Sequence, residues 1–273
     1  MTGHVTDDHL DEPVRLPVDR MDAVVFDMDG VVTDTADVHA RAWKSVFDPF
    51  LRSRGERAGG PSRPFSDHDY LEYVDGRPRY DGVAAFLDSR HLSLPRGLPS
   101  DAPGYGTVCA LGNLKDREFE RVIERQGATM FPSTLALVRT LGTAGVRTAV
   151  ISSSRHLHMI LELAGCGGLF DASVDGIEAE QLGLPGKPDP AVFLEAAHRL
   201  GVAPGRTVVV EDALAGVEAG RQGGFLLVVG VDRTGRAEQA QQLRDHGADV
   251  VVDDLDAVVV PAGRTAHPPG RPR

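Results

Sequence analysis

Short apolar runs alternate with amphipathic stretches along most of the chain. Between the later runs, apolar residues recur with helical spacing in stretches such as "STLALVRTLGTAGV" and "DPAVFLEAAHRLGV", which contain or end near glycine. This repeating order of strand and helix is typical of a parallel sheet, so the pattern predicts an α/β fold with a doubly wound parallel sheet. The runs of strand length are Ala23–Phe26, Arg147–Ile151, Thr207–Val210, Phe225–Val229 and Asp249–Val252.

About 120 residues separate the first two apolar runs, far more than the few residues that usually connect a strand to the next element. The stretches "ADVHARAWKSVFDPFL" and "KDREFERVIERQ" in this interval carry apolar residues on one helical face. We therefore predict a helical cap domain over residues 36–129, inserted into an α/β core of residues 20–35 and 130–260. Residues 1–19 and 261–273 lack periodicity, and we expect a mobile leader and a mobile tail there.

Composition narrows the class of partner. The chain has 29 Lys plus Arg against 40 Asp plus Glu, and this net charge of −11 argues against nucleic acid or an anionic membrane as the main partner. Cys109 and Cys166 lack a CxxC spacing and fit buried thiols in a reduced compartment. No apolar run reaches the ~20 residues of a membrane helix, and the N-terminus is acidic, unlike a signal peptide. We expect a cytoplasmic monomer without membrane or nucleic-acid partners.

Three predicted strands end in chemically active side chains. The first ends in "DMDG", with Asp27 and Asp29 two residues apart, the second in "SSSR" at 152–155, and a later one in Glu211 and Asp212. Ligands of open parallel sheets bind beyond the carboxyl ends of the strands, so we expect these groups to meet in one site. Carboxylate oxygens together with water and substrate phosphate are the ligands that Mg²⁺ prefers, which makes Mg²⁺ the expected cofactor.

The combined set of groups suits phosphoryl transfer. Lys187 stands between a glycine and a proline just before a predicted helix, and with Ser152 it can hold phosphoryl oxygens. Asp27, neutralised by metal and lysine, can attack phosphorus. Asp29 can then give a proton to the departing oxygen.

Four segments in order, "FDMDG", "VISSS", "GKPDP" and "VVEDA", resemble the motifs of the haloacid dehalogenase superfamily over about residues 21–255. The resemblance implies a Rossmann-like core with a helical cap and an aspartyl-phosphate on Asp27. Asp29 argues against the dehalogenase and phosphonatase branches, which lack it. The resemblance also implies acid–base work by Asp29, phosphate binding by Ser152, Ser153 and Lys187, and Mg²⁺ held by Asp27, Asp29, Glu211 and Asp212.

Within the superfamily, "FDMDGVVTDTADVHARAWK" and "NLKDREF" are most similar to the β-phosphoglucomutase family. This implies a hinge-side contact by Thr35, a cap-closing role for His39, a substrate-facing Trp43 and a contact of Lys115 with the sugar. His156 departs from the asparagine that the family has there. The remaining residues that the resemblance assigns to a second phosphate are Ser154, Arg155 and either Arg77 or Arg79.

Structural explanations compete with several of these assignments. The Asp-x-Asp-Gly segment is also found in turns and calcium loops, and Glu211 or Asp212 could merely cap a helix. Trp43 lies on an apolar helical stripe and could equally belong to a core. Arg77 and Arg79 could be surface charges.

The leading functional hypothesis is a Mg²⁺-dependent phosphosugar mutase that converts β-glucose 1-phosphate to glucose 6-phosphate. The alternatives are a sugar-phosphate phosphatase on the same scaffold and a non-catalytic phosphosugar-binding module. Whether the loop Pro95–Gly106 selects a larger substrate, such as a disaccharide phosphate, is left open by the sequence.

Overall fold

The computed structural model describes residues 13–58 and 63–261, and six parallel strands form its central sheet in the order β4-β3-β2-β5-β6-β7. These strands are β2 Ala23–Asp27, β3 Arg147–Ile151, β4 Ala172–Val174, β5 Thr207–Glu211, β6 Leu227–Val231 and β7 Val250–Val252. A separate parallel pair is formed by β1 Val14–Arg15 and β8 Val258–Val259. The predicted α/β fold with a doubly wound parallel sheet is confirmed.

Two details of the sequence prediction are corrected. The leader predicted over residues 1–19 is wrong for its last part, because β1 pairs with β8 and Leu16 and Val18 are buried in the core. β4 has only three residues and was not predicted. Residues 1–12 and 262–273, which include most of the predicted leader and tail, lie outside the described residues.

Both faces of the sheet are buried, and alternate residues of each strand serve opposite faces. In β2, Val24 and Phe26 belong to one apolar cluster, whereas Ala23 and Val25 belong to another. Such continuous apolar strands are expected where helices cover both faces of a parallel sheet. The helices of this part are α5 Pro132–Thr143, α6 Leu157–Leu163, α7 Gly176–Gln181, α8 Ala191–Arg199, α9 Leu214–Gln222 and α10 Ala237–Asp245.

The chain between β2 and α5 forms four helices with their own aromatic core. They are α1 Ala36–Ala58, α2 Asp67–Tyr73, α3 Arg79–Ser89 and α4 Val108–Gln126. Trp43 stacks on Phe47 at a ring distance of 5.1 Å, and Phe47 meets Phe86 at 4.2 Å. We call this helical unit the cap and the sheet with its helices the core.

Strand register sets the position of the chemistry. Asp27 pairs with Ile151, directly before Ser152, and Phe26 pairs with Val210, directly before Glu211. The polar ends of β2, β3 and β5 therefore lie side by side at one edge of the sheet. Cys109 and Cys166 are free, buried thiols, as expected.

Candidate active site

Asp27 and Lys187 form a buried ion pair at the end of β2. The Lys187 Nζ lies 2.5 Å from Asp27 Oδ1 and also contacts Glu211. The backbone N–H of Asp29 donates to Asp27 Oδ2 at 3.0 Å, which orients the carboxylate. Burial disfavours the charge of Lys187, but the charges of Asp27 and Glu211 prevail and hold its pKa above the usual range. Lys187 therefore stays protonated.

Asp27, Glu211 and Asp212 bring carboxylate oxygens within 4.8 Å of one another. Burial raises the pKa of Asp27 despite the opposing charge of Lys187, and Glu211 and Asp29 raise it further. Burial likewise raises the pKa of Asp212, with the neighbouring carboxylates adding to it. So many buried carboxylates with one lysine leave a surplus of negative charge, and a divalent cation fits this donor set.

The structure separates the roles of Glu211 and Asp212. Glu211 contacts Lys187 with one oxygen and accepts the Ala213 N–H with the other at 2.6 Å. Both of its oxygens thus have partners within the protein, and it positions the lysine. A Cβ on Gly30 would lie 1.9 Å from Asp212 Oδ2, so only glycine leaves room for this carboxylate at the site. Asp27 and Asp212 are the oxygen donors best placed for a metal ion.

Asp29 is held by three polar neighbours. It accepts hydrogen bonds from the Thr35 hydroxyl and from Ser152 Oγ, the latter at 3.1 Å, and His39 Nε2 lies 3.2 Å away. Burial raises its pKa, but the His39 charge and the His39 and Thr35 hydrogen bonds outweigh burial and hold the pKa well below its usual range. Asp29 is therefore held in its ionised form, as a carboxylate.

His39 and Lys115 extend this network into the cap. Lys115 Nζ lies 2.6 Å from His39 Nδ1, above the rings of Trp43 at 5.2 Å and Phe119 at 4.7 Å. Burial lowers the pKa of Lys115 to about 8. Burial and the charge of Lys115 lower the pKa of His39. Of the expected residues, Thr35 and His39 contact Asp29 directly. Lys115 joins this network through His39 and lies over the ring of Trp43.

The loop after β3 supplies both core and cap contacts. Ser152 is buried, and its Oγ accepts the Ser154 N–H at 3.0 Å. Ser153 Oγ donates to the Gly76 carbonyl at 2.7 Å, so this hydroxyl joins the core to the cap. Arg155 lines the cavity and lies 3.8 Å from Glu180.

Arg77 and Arg79 both line the cavity, and Arg79 is tied to a carboxylate there. Arg79 contacts Asp116, and Asp116 Oδ1 also meets His156 Nε2 at 3.0 Å. Burial raises the pKa of Asp116, but the His156 hydrogen bond and the Arg79 charge outweigh it and lower this pKa. Asp116 of the cap and His156 of the core therefore form a bridge between the two units, which the sequence alone did not indicate.

Asp75 and Tyr70 are further cavity residues that sequence reasoning missed. Asp75 follows α2 in the cap, and burial raises its pKa to about 6, although the hydrogen bond to Tyr70 opposes this. In the sequence, "VDG" after a helix resembles an ordinary turn and gives no signal of a site. The cavity bounded by these residues, Asp27 and Asp212 has a volume of about 70 Å³.

A model of the haloacid dehalogenase-like hydrolase family matches residues 21–224. The chain belongs to this family. β-Phosphoglucomutase of Mycobacterium tuberculosis is 45% identical over 238 residues, which cover 87% of this chain and 91% of that protein. Haloacid dehalogenase-like enzymes of this kind are phosphotransferases or phosphatases, and the resemblance in the motifs is confirmed.

Two further comparisons place the protein among its relatives. Trehalose-phosphate phosphatase of Mycobacterium leprae is 40% identical over 139 residues, covering 50% of this chain and 30% of that protein. The crystal structure of β-phosphoglucomutase from Clostridium difficile superposes with a TM-score of 0.65 at 22% identity, covering 88% of this chain and 93% of that one, and so shares the fold. None of the helices in residues 13–58 and 63–261 is long and apolar enough to span a bilayer.

Proposed function

We propose that this protein is a phosphosugar mutase that works through an aspartyl-phosphate on Asp27 and takes β-glucose 1-phosphate to glucose 6-phosphate. The observation that carries the proposal is one cavity lined both by a candidate nucleophile and by cations. Asp27 lines it beside Asp212, while Arg79 and Arg155 line it from the cap and the core. A substrate with two phosphates, or a phosphorylated enzyme with a monophosphate, matches this arrangement of charge.

The proposed chemistry begins at the ion pair. Asp27 attacks phosphorus, and Lys187 balances the charge that moves onto the phosphoryl oxygens. In the transfer from the phosphorylated enzyme, the Asp29 carboxylate takes the proton of the sugar hydroxyl that attacks the aspartyl-phosphate. It returns this proton to the leaving oxygen when Asp27 next attacks phosphorus, and Ser152, Thr35 and His39 hold it in place. Mg²⁺, bound by Asp27 and Asp212, would supply further neutralisation of the transferring phosphoryl group.

The cap supplies shielding from water. A cavity of about 70 Å³ is far below the ~300–1,000 Å³ of typical ligand sites, so substrate entry requires the cap to move away from the core. A closed cap would protect the aspartyl-phosphate from hydrolysis between the two transfers. The kinship with β-phosphoglucomutase, at 45% identity over most of the chain, supports this assignment.

A phosphatase is the second candidate. The partial relationship with trehalose-phosphate phosphatase favours it, because the same residues would serve if water attacked the aspartyl-phosphate. The two reactions differ in how completely the closed cap excludes water.

One assay separates them. The purified protein is incubated with Mg²⁺, β-glucose 1-phosphate and a trace of β-glucose 1,6-bisphosphate, and glucose 6-phosphate and inorganic phosphate are measured together. Glucose 6-phosphate without matching phosphate release supports the mutase. Phosphate release alone supports the phosphatase. If neither glucose 6-phosphate nor inorganic phosphate forms, β-glucose 1-phosphate is overturned as the substrate.

A further inference from the structure

A second cavity adjoins the catalytic one. It has a volume of about 330 Å³, within the range of ordinary ligand sites, whereas the catalytic cavity holds about 70 Å³. Arg79, Ser153 and Arg155 line both cavities. The two spaces therefore share the wall at which the second phosphate would be bound.

Cap and core each contribute one side of this second cavity. From the cap come Tyr80 at the start of α3 and Arg96 in the loop between α3 and α4. From the core come Ala179 and Glu180 on α7 and Leu184 in the segment that leads to Lys187. Apolar groups thus make up the larger part of the lining, and polar groups make up the rest.

Two arginines that line the second cavity, Arg96 and Arg155, are loosely paired. Arg96 lies 3.4 Å from Asp81, near the limit of a hydrogen bond. Arg155 lies 3.8 Å from Glu180, beyond that limit. Each side of the cavity therefore offers both a guanidinium donor and a carboxylate acceptor that a ligand can engage, while Tyr80 offers a ring face. A sugar ring presents hydroxyl groups at its edge and C–H groups on its faces, and it matches such a lining.

The loop that forms the cap side is fixed in place. Asp101 Oδ2 accepts hydrogen bonds from Thr107 Oγ1 at 2.6 Å and from the Leu98 N–H at 3.2 Å. Asn113 Nδ2 donates to the carbonyls of Pro99 and Asp101 at 3.0 and 2.8 Å. The Tyr80 hydroxyl donates to Asn113 Oδ1 at 2.8 Å, which ties the ring to the same loop. The cap side of the second cavity is therefore preformed, which reduces the entropic cost of binding.

We propose that the second cavity binds a glycosyl group, so that the preferred substrate is a hexose phosphate carrying a further sugar ring. The proposal rests on the proposed function, since it assumes that a sugar phosphate presents its phosphate to Asp27. It adds a substrate class, the phosphorylated disaccharides, and assigns their recognition to the α3–α4 loop and α7.

Calorimetry tests the proposal without turnover. The Asp27→Asn protein is titrated in Mg²⁺ with β-maltose 1-phosphate and, separately, with β-glucose 1-phosphate. We expect the disaccharide phosphate to bind about tenfold more tightly, because it fills both cavities. If glucose 1-phosphate binds and the disaccharide phosphate binds equally well or more weakly, this inference alone is overturned. Failure of both phosphates to bind overturns the proposed function as well.

Variants of residues that line the second cavity test whether this cavity produces the preference for the disaccharide phosphate. Ala179→Phe fills the second cavity from the core side, and we expect it to abolish the preference for the disaccharide phosphate. Arg96→Ala, at a mostly exposed side chain, is a second variant that does not risk the fold and is expected to reduce the preference. Ala237→Phe, at an exposed position lining neither cavity, is the matched control and should keep it. A preference that survives both Ala179→Phe and Arg96→Ala contradicts the assignment.

Discussion

At the scale of single residues, Asp27 carries the proposed reaction. It is buried, oriented by the Asp29 N–H and paired with Lys187. Asp27→Asn keeps the shape but removes the nucleophile, and we expect turnover to fall by about 10³ or more. The matched control is Asp37→Asn, an exposed position in the first turn of α1, which should change turnover less than about twofold. Full activity of Asp27→Asn in the glucose 1-phosphate assay contradicts the mechanism.

The buried position of Lys115 leads to a prediction about how the free energy of unfolding depends on pH. Burial lowers its pKa in the folded protein to about 8, against about 10.4 in an unfolded chain. Between these values the unfolded chain binds more protons, so this group makes the free energy of unfolding rise with pH, by about 3 kcal/mol in all. Lys115→Met should lose this rise between pH 8 and 10. Chemical denaturation of both proteins at each pH measures the difference in slope, and parallel curves would contradict the depressed pKa.

At the scale of elements, the turn after α2 docks the cap on the core. Gly76 has φ of +70°, its carbonyl accepts Ser153 Oγ at 2.7 Å, and a Cβ there would lie 2.9 Å from the Ala213 Cβ. Gly76→Ala should therefore push the cap from the core and lower kcat/KM by about tenfold or more. Gly165→Ala is the control, because Gly165 follows α6 with φ of +69° and open space around an added Cβ.

Both glycine variants place a side chain at a φ near +70°, which costs about 1 kcal/mol or somewhat more. Their unfolding temperatures should fall by similar amounts, whereas only Gly76→Ala should lose activity. Equal activities in the two variants would show that cap docking at this turn does not matter for catalysis.

The arrangement of strands and helices explains why some features could be predicted from the sequence and others could not. Asp27, Ser152, Glu211 and Asp212 were predictable because parallel strands place their carboxyl ends at one edge. Asp75 was not, since its contact with the site depends on how the cap packs on the core. The short β4 and the pairing of β1 with β8 also depend on long-range packing, which local apolar patterns do not encode.

At the scale of the whole molecule, cap and core meet through apolar packing of α1 and α4 and through polar contacts around the cavity. Besides the Gly76 turn, Asp116 on α4 joins His156 of the core and holds Arg79. Because these contacts hold the cap on the core, we expect them to set how well water is excluded from the proposed aspartyl-phosphate. Loosening one of them should therefore shift the balance between mutase and phosphatase chemistry without touching the nucleophile.

Asp116→Ala tests this coupling. Losing a partly buried charge pair of about 1.4 kcal/mol should raise the ratio of inorganic phosphate to glucose 6-phosphate about tenfold, since a more open cap admits water. The ratio is the decisive readout, because weaker substrate binding through Arg79 would lower both products together. Glu120→Ala is the matched control. Glu120 lies on α4, as Asp116 does, is half-exposed, and is 3.8 Å from His156 of the core. The Glu120→Ala protein should keep the ratio near its original value. An unchanged ratio in Asp116→Ala would mean that water exclusion depends on the other contacts between cap and core.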